Sequence, residues 1–119
     1  MKRMSFTLTK DQVLDQSKDV TRRNGWKDLM PGDLLQPVEK AMGLKKGEKQ
    51  VLLGCPIRVL SISIQRLYQI TQADVIREGF HDMNPEEFIA MYCAANKCDR
   101  YKQVARIEFE YTIPKPSKN

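Results

Sequence analysis

The sequence predicts a small α+β domain, a curled sheet or barrel of five or six strands carrying two or three helices at its mouth. Near its C-terminal end, Ala105, Ile107, Phe109, Tyr111 and Ile113 alternate with Arg106, Glu108, Glu110 and Thr112, the period of a strand buried on one side. Helix starts are written at Thr71 and Asn84, between segments that read as extended. A chain of 119 residues is long enough for one core that buries about two thirds of the unfolded surface, and too short for two ordinary domains. No internal repeat or linker divides it, so residues 1–119 are expected to form one domain.

Ser5 to Leu8 alternates polar and apolar as a short strand does, and Thr9 with Gln12 three residues on forms a capping box that opens a helix over Lys10 to Ser17. The cationic stretch Lys18 to Trp26 carries β-branched residues before an Asn24-Gly25 turn, which predicts extended backbone leading into that turn. Pro31-Gly32-Asp33 is a turn, and Leu34 to Lys40 reads as a strand in which Pro37 implies an edge or a bulge. Gly43 to Lys49 is a lysine-rich loop, and Gln50 to Gln65 supplies one or two strands, arranged as a hairpin broken at Cys55-Pro56. Thr71 with Asp74 caps a helix from Gln72 to about Glu78, ended by Gly79. A second helix begins at Asn84 with Pro85 in its first turn, and Phe88, Met91, Tyr92 and Ala95 recur on one face. The tail of about 114–119 is expected to fray.

Hydrophobic residues make up 41% and charged residues 29% of the chain, a composition that folds rather than one that stays disordered. The net charge of +5 makes a polyanion a more natural partner than an acidic protein or a bare apolar surface. Three cysteines and one histidine cannot supply a four-ligand zinc site without carboxylates, and no metal or cofactor is indicated. The odd cysteine count fits reduced thiols in a cytoplasmic setting. The Met1–Met4 start lacks the apolar stretch of a signal peptide, and the apolar run Val51 to Ile64 is cut by Gly54, Pro56 and Arg58, so no membrane association is expected. Gly43 to Gly47 lacks the order of a Walker loop, which argues against nucleoside triphosphates.

Gln16 to Arg23, the Pro-Gly-Asp turn, the helix ending in Glu78-Gly79 and the closing Ile107-Glu108-Phe109 strand, taken in that order, resemble the ASCH domain of the PUA-like superfamily. The family signature is Gly-x-Lys-x-x-Glu-x-Arg; Lys18 and Arg23 match it, while Gln16 stands for the glycine and Thr21 for the glutamate. The segments Thr21-Arg22-Arg23-x-Gly25-Trp26 and Gly43-Leu-Lys-Lys-Gly-Glu-Lys49 look like those of small ASCH-like proteins of bacteria and bacteriophages, which implies a cytoplasmic protein, in the host cytoplasm if phage-encoded. The resemblance implies a PUA-like β-barrel that binds RNA or a modified nucleoside in a cationic cleft. A subset of small bacterial members carries Lys-x-x-Thr and hydrolyses the acetyl amide of N4-acetylcytidine; by position its catalytic lysine, threonine and glutamate are Lys18, Thr21 and Glu78 here. An ASCH-type ribonuclease and a non-enzymatic phage protein that binds a host factor are the other readings the resemblance leaves open.

The residues set conditions on that chemistry. A threonine hydroxyl becomes a nucleophile when a base takes its proton, and a lysine serves as that base when burial or other cations lower its pKa. A spacing of three puts Lys18 and Thr21 on opposite faces of a regular strand, so a shared site requires an irregular junction. Lys18, Arg22, Arg23 and Lys27 around Trp26, with Lys45 and Lys46 on the loop beyond, can follow phosphates while an indole stacks on a base. Trp26, the only tryptophan of a small domain, reads rather as a core residue. His81 is a loop residue near Glu78 and a candidate auxiliary acid or base. Cys93 and Cys98 read as structural thiols.

Overall fold

The computed structural model describes residues 1–41 and 43–115; of the expected frayed tail, residues 116–119 lie outside the described residues. Five strands and three α-helices follow in the order β1 (Lys2–Ser5), α1 (Lys10–Leu14), β2 (Val20–Arg23), β3 (Leu34–Val38), β4 (Ile57–Arg66), α2 (Gln72–Arg77), α3 (Pro85–Asn96) and β5 (Gln103–Tyr111), with a short 3-10 turn at Leu67–Gln69.

The strands form one mixed sheet in the order β1-β3-β4-β5-β2. Its spine is the antiparallel pair β4 and β5, where β-branched Ile57, Val59, Ile62 and Ile64 favour the pleat and a bulge between Val59 and Ser61 bends the ribbon. β2 pairs antiparallel with β5, and β1 pairs parallel with β3. The expected barrel does not close. β1 and β2 are the two free edges, and closing them would require backbones about 4.8 Å apart. Side chains prevent that approach, because the Arg23 guanidinium lies over the Phe6 ring at 4.6 Å between the chain following β1 and the end of β2.

Local differences have identifiable causes. The first strand is β1 at Lys2–Ser5 rather than Ser5 to Leu8. α1 stops at Leu14, and its capping box does not form: Thr9 makes no side-chain cap, and Gln12 donates instead to the carbonyl of Gly79 at 3.1 Å. Pro37 lies in an inner strand, not on an edge; pairing to β4 stops at Leu35, and the Pro37 carbonyl accepts from the Leu53 amide at 2.9 Å. The expected hairpin over Gln50 to Gln65 is one long strand preceded by an isolated bridge, Val38 to Leu52. The caps of the later helices form as written: Thr71 accepts from the Asp74 amide, and Asn84 and Glu87 cap each other reciprocally.

Two apolar clusters result. One holds Met4, Phe6, Val13, Leu35, Ile57, Val59, Ile107 and Phe109 under the sheet, with Trp26 against its margin. The other joins Leu67, Ile70, Val75, Phe88, Ile89, Tyr92 and Val104 around α2 and α3. Gly79 ends α2 at φ +103°, and a Cβ there would lie 2.8 Å from Cγ of Gln12, so that residue fixes how α1 and the end of α2 meet. Among the described residues no helix is long and apolar enough to cross a membrane.

Candidate functional site

The open seam of the sheet is a cleft of about 580 Å³. One wall carries Phe6, Thr7 and Thr9 after β1, the opposite wall carries Thr21, Arg22, Arg23 and Trp26, and Phe80, Phe88, Met91 and Tyr92 close it from the helical side. Lys18 and Glu78 line it as well. The cleft therefore lies between the two apolar clusters, where Phe6 and Trp26 represent one, and Phe80, Phe88 and Tyr92 the other.

Lys18 occupies the irregular junction that its spacing from Thr21 requires. It precedes β2, where Gln16 turns through φ +63° and the amides of both Ser17 and Lys18 donate to the carbonyl of Gln12. Tyr111 donates its hydroxyl proton to the Lys18 carbonyl, which fixes the backbone from β5. The Lys18 ammonium donates to the Glu78 backbone carbonyl at 2.7 Å and to Glu78 Oε1 at 2.9 Å, and the two side chains are only 3% and 4% exposed. Burial pushes the Lys18 pKa below its ordinary 10.5, Glu78 pulls it part of the way back, and Arg23 and Arg22 push it down further.

Glu78 sits at the C-cap of α2, where its second oxygen accepts from Arg22 Nη1 at 3.2 Å. Arg22 Nη2 donates to Asp74 Oδ2 at 2.7 Å and to Gln65. Arg106 donates to both oxygens of Asp74. Arg106 and then Arg22 hold the Asp74 carboxyl down at about 2. One buried network thus ties β2, β4, β5 and α2 together beneath the cleft. On the other side of β2, Thr21 and Arg23 are neighbours two residues apart, and Arg23 Nε donates to Thr21 Oγ1 at 3.1 Å. Arg23 itself is lowered to about 10, first by burial, and stays cationic at neutral pH.

Of the residues singled out in the sequence, Lys18, Thr21, Arg22, Arg23, Trp26 and Glu78 line this one cleft. Lys27, Lys45 and Lys46 do not; they are exposed, and the lysine loop borders a separate hollow near Glu39 and Val51. Trp26 is neither core nor free platform. It is half-buried, follows the Asn-Gly turn in a left-handed conformation at φ +60°, and packs on the sheet cluster with one side on the cleft. His81 lines a neighbouring groove with Asp11, Asp15 and Asp82. Cys93 and Cys98 are free thiols with sulfurs 3.9 Å apart.

Three cleft features escaped the sequence. Phe6 supports Arg23 across a long sequence gap; Asp74, Gln65 and Arg106 hold Arg22 in place; and Tyr92, read as a packing residue, lines the cleft with its hydroxyl buried. That hydroxyl and Arg22 Nε are buried without a hydrogen-bond partner among the described residues.

No known family model matches the chain, and no curated protein matches it in sequence. Its fold is nevertheless found in solved structures. The ASCH domain from Lactobacillus crispatus JV V101 superposes with a TM-score of 0.57 at 15% identity, over 92% of this chain and 78% of that one. The chain has the ASCH-domain fold. Protein EF3133 from Enterococcus faecalis V583, of family DUF984, shares it with a TM-score of 0.61 at 14% identity over 94% of this chain and 76% of its own. Hypothetical protein PH0355 does so with 0.63 at 16% identity, over 93% and 99%. In this ASCH fold the cleft opens between the two edge strands, the place where a closed barrel would have backbone pairing.

Proposed function

We propose that the cleft binds a modified pyrimidine nucleoside and that Lys18, Thr21 and Glu78 hydrolyse the amide of an N4-acylated cytosine. The observation that carries this reading is the Lys18–Glu78 pair, removed from water yet lining a cleft with Thr21. A buried lysine is costly, and burial moves its pKa in the direction that a proton acceptor needs. The aromatic walls from Phe80, Phe88 and Tyr92 suit a planar base, and the volume suits one nucleoside rather than a strand.

In the proposed step, the Thr21 hydroxyl oxygen attacks the acyl carbonyl carbon while its proton passes to the neutral Lys18 amine. The tetrahedral intermediate collapses with cleavage of the carbon–N4 bond, and N4 leaves carrying the proton from Lys18. Water then opens the Thr21 ester; one of its protons goes to Lys18 and on to the threonine oxygen, and the carboxylic acid departs. Glu78 orients the lysine through two hydrogen bonds. The Arg23 Nε–H beside Thr21 Oγ1 supports negative charge on that oxygen.

One observation favours a binding module without turnover: the hydrogen-bond partner of the Thr21 hydroxyl is Arg23, not Lys18. Incubation of the purified protein with N4-acetylcytidine decides between the two. Release of cytidine and acetate, abolished by Thr21→Ala and Lys18→Ala but retained in part by Thr21→Ser, supports the hydrolase. Saturable binding with no product in any variant leaves a nucleoside-binding protein and removes the catalytic roles.

A further inference from the structure

Lys18 and Arg22 spend their charge on Glu78 and Asp74, but Arg23 has no carboxylate partner among the described residues. Its Nε goes to a threonine hydroxyl, its flat face lies on Phe6 at 4.6 Å, and neither terminal nitrogen has a hydrogen-bond partner there. The guanidinium is thus held in one orientation by an aromatic ring and a neutral oxygen, with both Nη groups left over on a cleft wall. Arg22 Nε and Tyr92 Oη also have no partner among the described residues, but both are closed off from solvent, so the free donors on the cleft wall are those of Arg23. A planar cation fixed in this way, and left unneutralised, is complementary to an anion with several acceptor oxygens.

We infer that the cleft recognises a phosphate group, with Arg23 as its anchor, so that a nucleotide or a nucleotide unit of RNA is held more tightly than the bare nucleoside. Phe6 positions the guanidinium, as the ring blocks the rotation that would let Arg23 swing into solvent. The inference rests on the proposed nucleoside reading for the base, and on Arg23 for the phosphate. The phosphate of a free nucleotide and the phosphodiester of a chain share this chemistry, and the two sources differ in whether the remainder of a strand can leave the cleft.

Calorimetric titration of the full chain with cytidine, cytidine 5′-monophosphate, inorganic phosphate and a short cytidine-containing single-stranded RNA tests it. The monophosphate is expected to bind at least about tenfold more tightly than cytidine, the gain from charge-assisted hydrogen bonds to one arginine. In Arg23→Gln that ratio should fall to near one, and in Arg23→Lys, which keeps the charge but not the fork, it should fall part of the way. A monophosphate that binds no better than cytidine in the wild type overturns the inference without recourse to any variant. RNA binding as tight as the monophosphate, and equally dependent on Arg23, assigns the phosphate to a chain; RNA that does not bind assigns it to a free nucleotide. If cytidine fails to bind while inorganic phosphate binds the wild type and not Arg23→Gln, the phosphate site stands and the nucleoside reading falls.

Discussion

The chain has two lysine- and arginine-rich regions, and they behave in opposite ways. Around β2, Lys18, Arg22 and Arg23 are drawn into the protein, where Glu78 and Asp74 neutralise the first two and Phe6 supports the third. In the Gly43–Lys49 loop the lysines remain in water, and the pairing there is of the surface kind: Lys40 meets Glu48 at 3.6 Å with both side chains nearly half exposed. A solvated pair of that sort contributes about 0–1 kcal/mol, whereas removing one partner of a buried pair costs about 3–5 kcal/mol. Local density of positive charge therefore does not mark the candidate site; what marks it out is charge that the fold has buried.

The comparison is broken or sharpened most strongly by removing one acid from each region. Glu78→Ala should lose about 3–5 kcal/mol in urea unfolding, since it strands Lys18 and takes one of the two carboxylates from Arg22, while Glu48→Ala should stay within about 0.5 kcal/mol of the wild type. Equal losses would erase the distinction. Gly79→Ala, next to Glu78, should cost about 1–3 kcal/mol from its positive φ and the crowding by Gln12, and Gln12→Ala in the same chain should return part of that loss.

Acid titration gives a smaller and signed effect. The Asp74 carboxyl is lowered from 3.8 to about 2 in the folded protein, so the unfolded chain takes up the proton first. The stability this group contributes is complete above about 3.8 and is lost as pH falls towards about 2. Asp74→Asn should abolish that limb, as read from denaturation midpoints across the range. Lys18 acts in the same sense at higher pH: its folded pKa lies below 10.5, so stability falls as pH drops below 10.5 and levels off beneath the folded value. Smallest of all, replacing both Lys45 and Lys46 with alanine should change nucleoside affinity less than about twofold, measured by calorimetry, because exposed charges at that distance are screened.

Much of the helical part was legible in the sequence because its signals are local. Thr71 and Asn84 cap their helices through residues three positions away, and Gly79 ends α2 where a left-handed residue was called for. The alternation from Ala105 onwards likewise identified β5, displaced by two residues from Gln103–Tyr111. The cap at Thr9 failed because a tertiary bond, Gln12 to the Gly79 carbonyl, took its partner. Closure of the barrel was misjudged for a similar reason: whether the edges meet depends on Arg23 stacking on Phe6, a contact between distant residues that no periodicity records. The same holds for the site. The Lys18, Thr21 and Glu78 positions came from a motif, but the roles of Asp74, Arg106, Gln65 and Tyr92 around them arise only from folding.

The most direct measurement is an amide chemical-shift titration of isotope-labelled protein with N4-acetylcytidine. The account predicts saturable shifts at Thr21, Arg23, Phe80 and Tyr92, with the Gly43–Lys49 loop unmoved. Shifts confined to the loop, with the cleft silent, would contradict it.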